Sequence, residues 1–135
     1  MGAPTVTRVH VRAITVKQPY AELIIAGAKT VENRSWQIKH RGLLAIHAGR
    51  DRRVLRSLGL KPHRFVLGAV IGLVELVDIV EDHTSPWATD ERYHWVLVNP
   101  RRLLEPVVLR GEMGLFTVEL PYDDVGLPAT GLFAD

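Results

Sequence analysis

The 135-residue chain contains no cysteine. Disulfide frameworks, thiolate zinc sites and cysteine nucleophiles are excluded together, and a reducing compartment is the setting such a composition fits. Long apolar runs are missing as well. The longest, Phe65 to Val74, has ten residues and is broken by Gly68 and Gly72, against the ~20 that a membrane-spanning helix needs. The first residues, MGAPTVTRVHVRA, lack the apolar centre of a secretory signal. These absences lead to the expectation of a soluble, cytoplasmic protein with no membrane partner.

No internal repeat, low-complexity segment or Pro/Gly/Ser linker divides the chain, and at 47% apolar composition it can bury one continuous core. A single domain over residues 1–135 is expected, with a core at about residues 11–120 and a loose tail, PYDDVGLPATGLFAD, at residues 121–135. Familiar catalytic signatures are also wanting. The chain has no G-x-S-x-G elbow, H-E-x-x-H, Walker loop or G-x-G-x-x-G, and its six histidines are scattered without ligand spacing. No metal site and no cofactor are therefore expected.

Acids are scarce in one stretch. From Arg34 to Arg64 there are nine Lys or Arg and one acid, Asp51, whereas from Glu75 to Asp135 four basic residues stand against twelve acids. With a formal net charge of only +2, this asymmetry suits a basic face on a nearly neutral body, apt for phosphate or nucleic acid; ordinary solvated charge would give the same count.

What the chain does have is a series of short strand patterns. Val11 to Val16 is β-branched, and Pro19 then opens a short helix in which Tyr20, Leu23, Ile24 and Gly27 fall on one face, with Gly27 as the stop. Thr30 to Trp36 and GLLAIHA read as strands, and DRRVLRSLGL as a second helix with Asp51 as cap and Gly59 as stop. FVLGAVIGLVEL, YHWVLV, EPVVL and LFTVEL follow as further strands. The pattern predicts a mainly β fold with short helices (α+β), its five to seven strands curved into a closed or nearly closed barrel with the Pro19 helix across one end.

One segment is unusual for a corner between elements: AGAKTVENRSW carries two cations, an anion and a large ring in quick succession. On a strand, Glu32, Arg34 and Trp36 project together while Val31, Asn33 and Ser35 face the other way, and Lys29 reaches the same side from the turn. A glutamate between two cations orients the arginine fork and leaves donors for a phosphate or a base edge, and Trp36 offers a stacking surface. An exposed ion pair worth ~0–1 kcal/mol is the plain alternative.

The spacing G-x-K-x-x-E-x-R, present as Gly27, Lys29, Glu32 and Arg34, resembles the signature of the ASCH domain family, whose fold is the PUA-like β-barrel. KQPYA, RGLLAIHAGRD and YHWVLVNPRRLLEPVVLRGEMGLF resemble the subgroup around the endothelial-overexpressed lipopolysaccharide-associated factor, and together the matches run from Ile14 to Leu120. The resemblance implies a cleft beside a small barrel and a ligand that is RNA or a modified nucleoside; it points to no particular protein partner. Lys29, Glu32 and Arg34 carry over by motif position, and Gln18, Pro19 and Tyr20 as the segment packed beside them. His47, Arg50, His94 and Trp95 fall in matching segments, although histidines such as His47 and His94 are more often satisfied core or rim residues than site groups, and Trp95 reads also as core.

The resemblance also raises enzymatic readings, ranked below binding. One family branch resembles an amidohydrolase that deacetylates N4-acetylcytidine with a threonine three residues after the signature lysine, and here that position holds Glu32. Lys29 and Glu32 are then the candidate catalytic pair, with Lys29 activating water and Arg34 or a backbone N–H supporting the oxyanion. Glu32 works against this by favouring the charged ammonium. Metal-independent ribonuclease activity, with His47 or His94 as acid or base, ranks third.

Overall fold

The computed structural model describes residues 7–121 and Val125. The expected tail at 121–135 therefore lies outside the described residues, apart from Pro121 and Val125. In chain order the elements are β1 (Arg8–Val16), α1 (Tyr20–Ile25), β2 (Val31–Arg34), β3 (Gly42–Ala48), α2 (Arg53–Ser57), a 3-10 turn (Pro62–Arg64), β4 (Ala69–Val80), β5 (Tyr93–Val108) and β6 (Phe116–Pro121). The six strands form one sheet in the order β2-β5-β4-β3-β1-β6, antiparallel except for β1 against β3.

This sheet is not closed, which corrects the closed barrel expected from the strand pattern. β2 and β6 stand at its two edges, and no ladder joins them among the described residues. The fully apolar strands have another cause. In β1, Val11 and Ala13 pack with Phe116, Val118 and Leu120 on one face of the sheet, while Ile14 and Val16 pack with Ile24 and Ile25 of α1 on the other. β3 divides the same way, Ala45 to the first cluster and Leu44, Ile46 and Ala48 to the second. Burial on both faces gives continuous apolar runs without any need for closure.

The sheet is nevertheless strongly bent. Register slips interrupt the β4–β5 ladder at three places and the β3–β4 ladder between Ile46 and His47, and each bulge increases local twist. YHWVLV and EPVVL, which read as separate strands around Asn99 and Pro100, are one 16-residue strand, β5. Asn99 takes a positive φ of 52° inside it, a conformation asparagine tolerates better than most side chains.

Helix α1 is turned by one residue from its expected face: Ala21, Ile24 and Ile25 are buried, and Tyr20 is only half-buried. Gly27 takes φ +85°, and the N–H groups of Ala28 and Lys29 both reach the Leu23 carbonyl at 3.0 Å. That left-handed stop delivers Lys29 to the start of β2. At α2 the Asp51 carboxylate accepts the Arg53 N–H at 2.9 Å, and Gly59 follows the helix with φ +72°. No helix among the described residues is long and apolar enough to cross a membrane.

Gly72 is where α1 meets the bend. A Cβ there would stand 2.5 Å from both the Arg101 carbonyl oxygen and Ile25 Cδ1. One of these neighbours is backbone in a paired strand and cannot swing aside. Gly72→Ala is expected to destabilise the fold by about 1–3 kcal/mol through overpacking, measured as a lower urea midpoint; an unchanged midpoint would show that the β4–β5 ladder yields at this point.

Candidate functional site

The charged segment forms one wall of a cleft of about 630 Å³. The Glu32 carboxylate sits between two cations. Lys29 Nζ is 3.3 Å from Glu32 Oε1 and also donates to the Val31 carbonyl; Arg34 Nε donates to Glu32 Oε2 at 3.0 Å. Arg34 Nη2 lies 2.8 Å from Glu32 Oε2 and 2.8 Å from the Thr15 carbonyl, to which it donates. This last bond reaches from β2 to β1, two strands that the sheet order separates by three others. The triad is withdrawn from solvent: Lys29 is 5% exposed, Glu32 8%, and only Arg34 keeps appreciable contact with water.

Two aromatic rings flank the ammonium, the Tyr20 centroid at 6.0 Å and the Trp87 centroid at 5.7 Å from Lys29 Nζ. At these separations both rings favour the cation through their quadrupoles. Trp87 belongs to the long connection between β4 and β5, which polar side chains hold over the cleft. Asn33 donates through Nδ2 to the Trp87 carbonyl at 2.9 Å and accepts the Thr89 N–H at 3.1 Å, while the indole N–H of Trp87 donates to the Ala28 carbonyl at 2.8 Å. His94 braces the same loop. Its Nδ1 accepts the His83 N–H at 3.1 Å, so its proton resides on Nε2, which donates to the Thr89 carbonyl at 3.0 Å.

The structure brings together Tyr20, Lys29, Glu32 and Arg34 of the residues singled out in the sequence. Gln18 is buried and positions α1, accepting the Glu22 N–H at 2.9 Å and donating to the Val66 carbonyl at 3.0 Å; the Pro19 carbonyl accepts the Leu23 N–H in the first turn. Trp36 lies past the end of β2 and packs edge-on against Trp95, ring centroids 5.0 Å apart, with the Arg34 guanidinium 5.8 Å from its own ring. Trp95 is fully buried. The rings bordering the cleft are thus Tyr20 and Trp87, not Trp36 and Trp95. Trp87 escaped the sequence reading, although a tryptophan in the polar stretch SPWATDER was its signal, because a loop rarely spends so large a ring without a contact to make.

His47 and Arg50 stand elsewhere, in a second cavity of about 550 Å³. His47 is buried, its Nε2 donating to the Leu109 carbonyl at 2.8 Å and its Nδ1 3.2 Å from Thr15 Oγ1. Both ring nitrogens of His47 and of His94 are thus committed to structure. Thr30 is exposed and borders another hollow, of about 190 Å³, beside Pro100; Lys29 borders both this hollow and the charged cleft, whereas Thr30 does not border the cleft. Arg53 is bound to Asp51, whose carboxyl its guanidinium and backbone N–H hold well below the usual carboxylate range, with Lys17 3.7 Å away. No group of three or more His, Asp or Glu side chains among the described residues is placed to hold a metal ion.

Removing one member of a buried ion cluster leaves its partners uncompensated. Glu32→Gln is expected to cost about 3 kcal/mol in urea unfolding, at the low end for a broken buried pair because Arg34 keeps some water. Lys29→Met with Glu32→Gln should cost less than the sum of the single changes, the coupling that a shared charge requires. Additive losses below about 0.5 kcal/mol would instead mark a solvent-screened surface pair.

A model of the ASCH domain matches residues 14–107. Activating signal cointegrator 1 from Homo sapiens and from Mus musculus is each 24% identical over 127 residues, covering 78% of this chain and 22% of that protein, so the chain spans about a fifth of the length of these curated relatives. Among solved structures, ASCH from Zymomonas mobilis superposes with a TM-score of 0.54 at 16% identity, covering 89% of this chain and 94% of that one. Two single-residue variants of the same protein superpose at 0.52 and 0.54, also at 16% identity. They cover 88% and 89% of this chain and 94% and 96% of theirs. With the family model covering most of its length and the signature residues gathered on one cleft wall, the chain belongs to the ASCH domain family.

Proposed function

We propose that this domain binds RNA or a modified nucleoside, holding a base beside Tyr20 and Trp87 with its edge against Lys29, Glu32 and Arg34. The observation that carries this reading is the charge-compensated triad on the wall of an aromatic-flanked cleft. Its volume of about 630 Å³ falls in the range of ligand sites, roughly 300–1,000 Å³. Every base has a π face for the rings, and stacking of this kind tolerates sequence variation.

The triad also has a preference in hydrogen bonding. Glu32 already accepts from both cations, whereas one N–H of Lys29 and the Nη1 group of Arg34 have no partner among the described residues. The wall therefore offers donors, and its complement is an acceptor on the ligand, such as a pyrimidine carbonyl, an acetyl carbonyl or a phosphate oxygen. The association of ASCH domains, a PUA-like fold, with RNA supports the same class of ligand. The nearly closed barrel, the single-domain organisation, cytoplasmic residence and the place in the subgroup around the endothelial-overexpressed lipopolysaccharide-associated factor belong to this proposal too. The last rests on KQPYA and on the strand bearing His94 and Trp95.

Amide hydrolysis of N4-acetylcytidine is the second reading, favoured by a buried lysine whose spare N–H could polarise an acetyl carbonyl. It must use water as nucleophile, since Glu32 occupies the motif position and is itself ion-paired. Calorimetric titration with cytidine, N4-acetylcytidine and a short single-stranded RNA, with chromatography of the mixtures, separates the readings. A binding module should return each ligand unchanged. Tyr20→Ala and Trp87→Ala should each weaken binding by about 1–3 kcal/mol, the worth of a stacked base. Arg34→Lys should weaken it as well, because a point charge cannot bridge Glu32 and the Thr15 carbonyl while facing a ligand. Multiple turnovers lost in Lys29→Ala would establish the enzyme instead, and no binding by any of the three ligands would overturn both readings.

A further inference from the structure

Behind Thr15 the second cavity, about 550 Å³, is bordered by His47, Gly49, Arg50, Arg110, Gly111 and Glu112. Its two arginines are not taken up by any carboxylate of the described residues. Arg34, Arg53, Arg92 and Arg102 each pair with a carboxylate, whereas neither Arg50 nor Arg110 has a hydrogen-bond or ion-pair partner among the described residues. Glu112 borders the same space without pairing with either, and its backbone carbonyl lies 3.4 Å from Thr15 Oγ1.

The glycines here make room for these groups. A Cβ on Gly68 would stand 2.6 Å from Arg50 Nε, and one on Gly111 would stand 2.6 Å from Thr15 Oγ1 and 2.7 Å from the His47 ring. Arg50 therefore lies flat along the backbone at Gly68, where no β-carbon lifts it away. Arg50 also borders the cavity. Thr15 is common to both hollows: its carbonyl accepts from Arg34 in the charged cleft, and its hydroxyl meets His47 in the second.

We propose that this second cavity is a phosphate subsite, in which Arg50 and Arg110 hold the phosphate that continues from a nucleoside seated in the first cleft. The inference rests on the nucleoside reading of that cleft and deepens it, because it makes the ligand a nucleotide or an RNA chain rather than a free nucleoside. Two planar guanidiniums bordering one cavity, neither paired with a carboxylate among the described residues, offer donors to an anion. One wall residue, Thr15, divides the two hollows, so a single ligand can occupy both. A free nucleotide and an internal phosphodiester both present non-bridging phosphate oxygens and differ in their number and charge.

The test compares cytidine, its 3′- and 5′-monophosphates and a short oligocytidylate by calorimetry, with the native protein and with Arg50→Ala/Arg110→Ala. At least one monophosphate should bind the native protein about tenfold more tightly than cytidine, the gain of one charge-assisted contact. The double variant should abolish that gain while leaving cytidine itself unchanged. For the oligomer, the slope of log affinity against log salt should fall by about 0.7 in the double variant, the share of one phosphate on a single strand. Tighter monophosphate with an unaltered oligomer slope assigns the subsite to free nucleotides; both effects together assign it to RNA.

Equal affinity for cytidine and both monophosphates, measured on the native protein and so independent of any variant's folding, overturns the subsite and leaves the nucleoside reading standing. A monophosphate or an oligomer that binds with no contribution from Lys29, Arg34, Tyr20 or Trp87 overturns the nucleoside reading and, with it, the link between the two hollows.

Discussion

Glu32 is the residue on which the arrangement turns. Its carboxylate stands between Lys29 and Arg34, and without it a buried lysine and a partly buried arginine would be left as neighbouring cations whose desolvation is not offset. With it, Arg34 is oriented so that its far nitrogen reaches the Thr15 carbonyl. That bond spans the open part of the sheet. Backbone pairing does not join β2 to β1, and a single side-chain fork supplies the connection. The feature that compensates the site's charge is thus also one that holds its two sides together.

The opposite wall is built differently. The segment from Glu81 to Arg92 has few apolar contacts with the core and is held by hydrogen bonds from side chains that the strands present: Asn33 from β2, His94 from β5, and the indole of Trp87 to the turn after α1. Such a wall is positioned at its polar anchors rather than packed throughout, which places it toward the low-stability end of the fold. His94 is therefore a positioning residue. Both its nitrogens are spent on the loop, and what it fixes is the place of Trp87 relative to Lys29.

The charged triad was legible in the sequence because strand geometry has a period of two, and Glu32 and Arg34 must share a side whatever the rest of the fold does. Gly27 as the stop of α1 and Gly42 to Ala48 as a strand were legible for the same kind of local reason, whereas the cap position of α2 falls on Arg52, one residue after the Asp51 expected there. Closure was not. A strand buried on both faces of an open sheet and a strand in a small barrel carry the same apolar run, so residues such as Ile14 and Val70 cannot distinguish them. Trp95 illustrates a second limit: its indole N–H is satisfied by the Trp36 carbonyl at 3.3 Å, so a ring with a polar edge could be buried completely. The separation of His47 and Arg50 from the cleft depends on which side of Thr15 the end of β3 passes, a long-range matter that spacing does not encode.

Charge along the chain follows a similar division. Nine basic residues against one acid between Arg34 and Arg64 suggested a single basic face, but the fold sorts them by the partner each one finds. Arg34 is taken by Glu32 and Arg53 by Asp51, while Arg41 donates to the carbonyls of Ile38 and His40. Arg50 enters the cavity behind Thr15, and Arg52 and Arg56 border a third hollow with His63 and Phe65. The acids that neutralise this stretch come from within two residues of their arginines, at Glu32 and Asp51, so short-range geometry decides which charges are consumed. An anion approaching the molecule responds to the remainder, because a paired cation presents little net field beyond a Debye length of about 8 Å. The linear surplus therefore overstates the basic surface: part of it is consumed at Glu32 and Asp51, and of the rest Arg50 borders the cavity behind Thr15 while Arg52 and Arg56 border the third hollow.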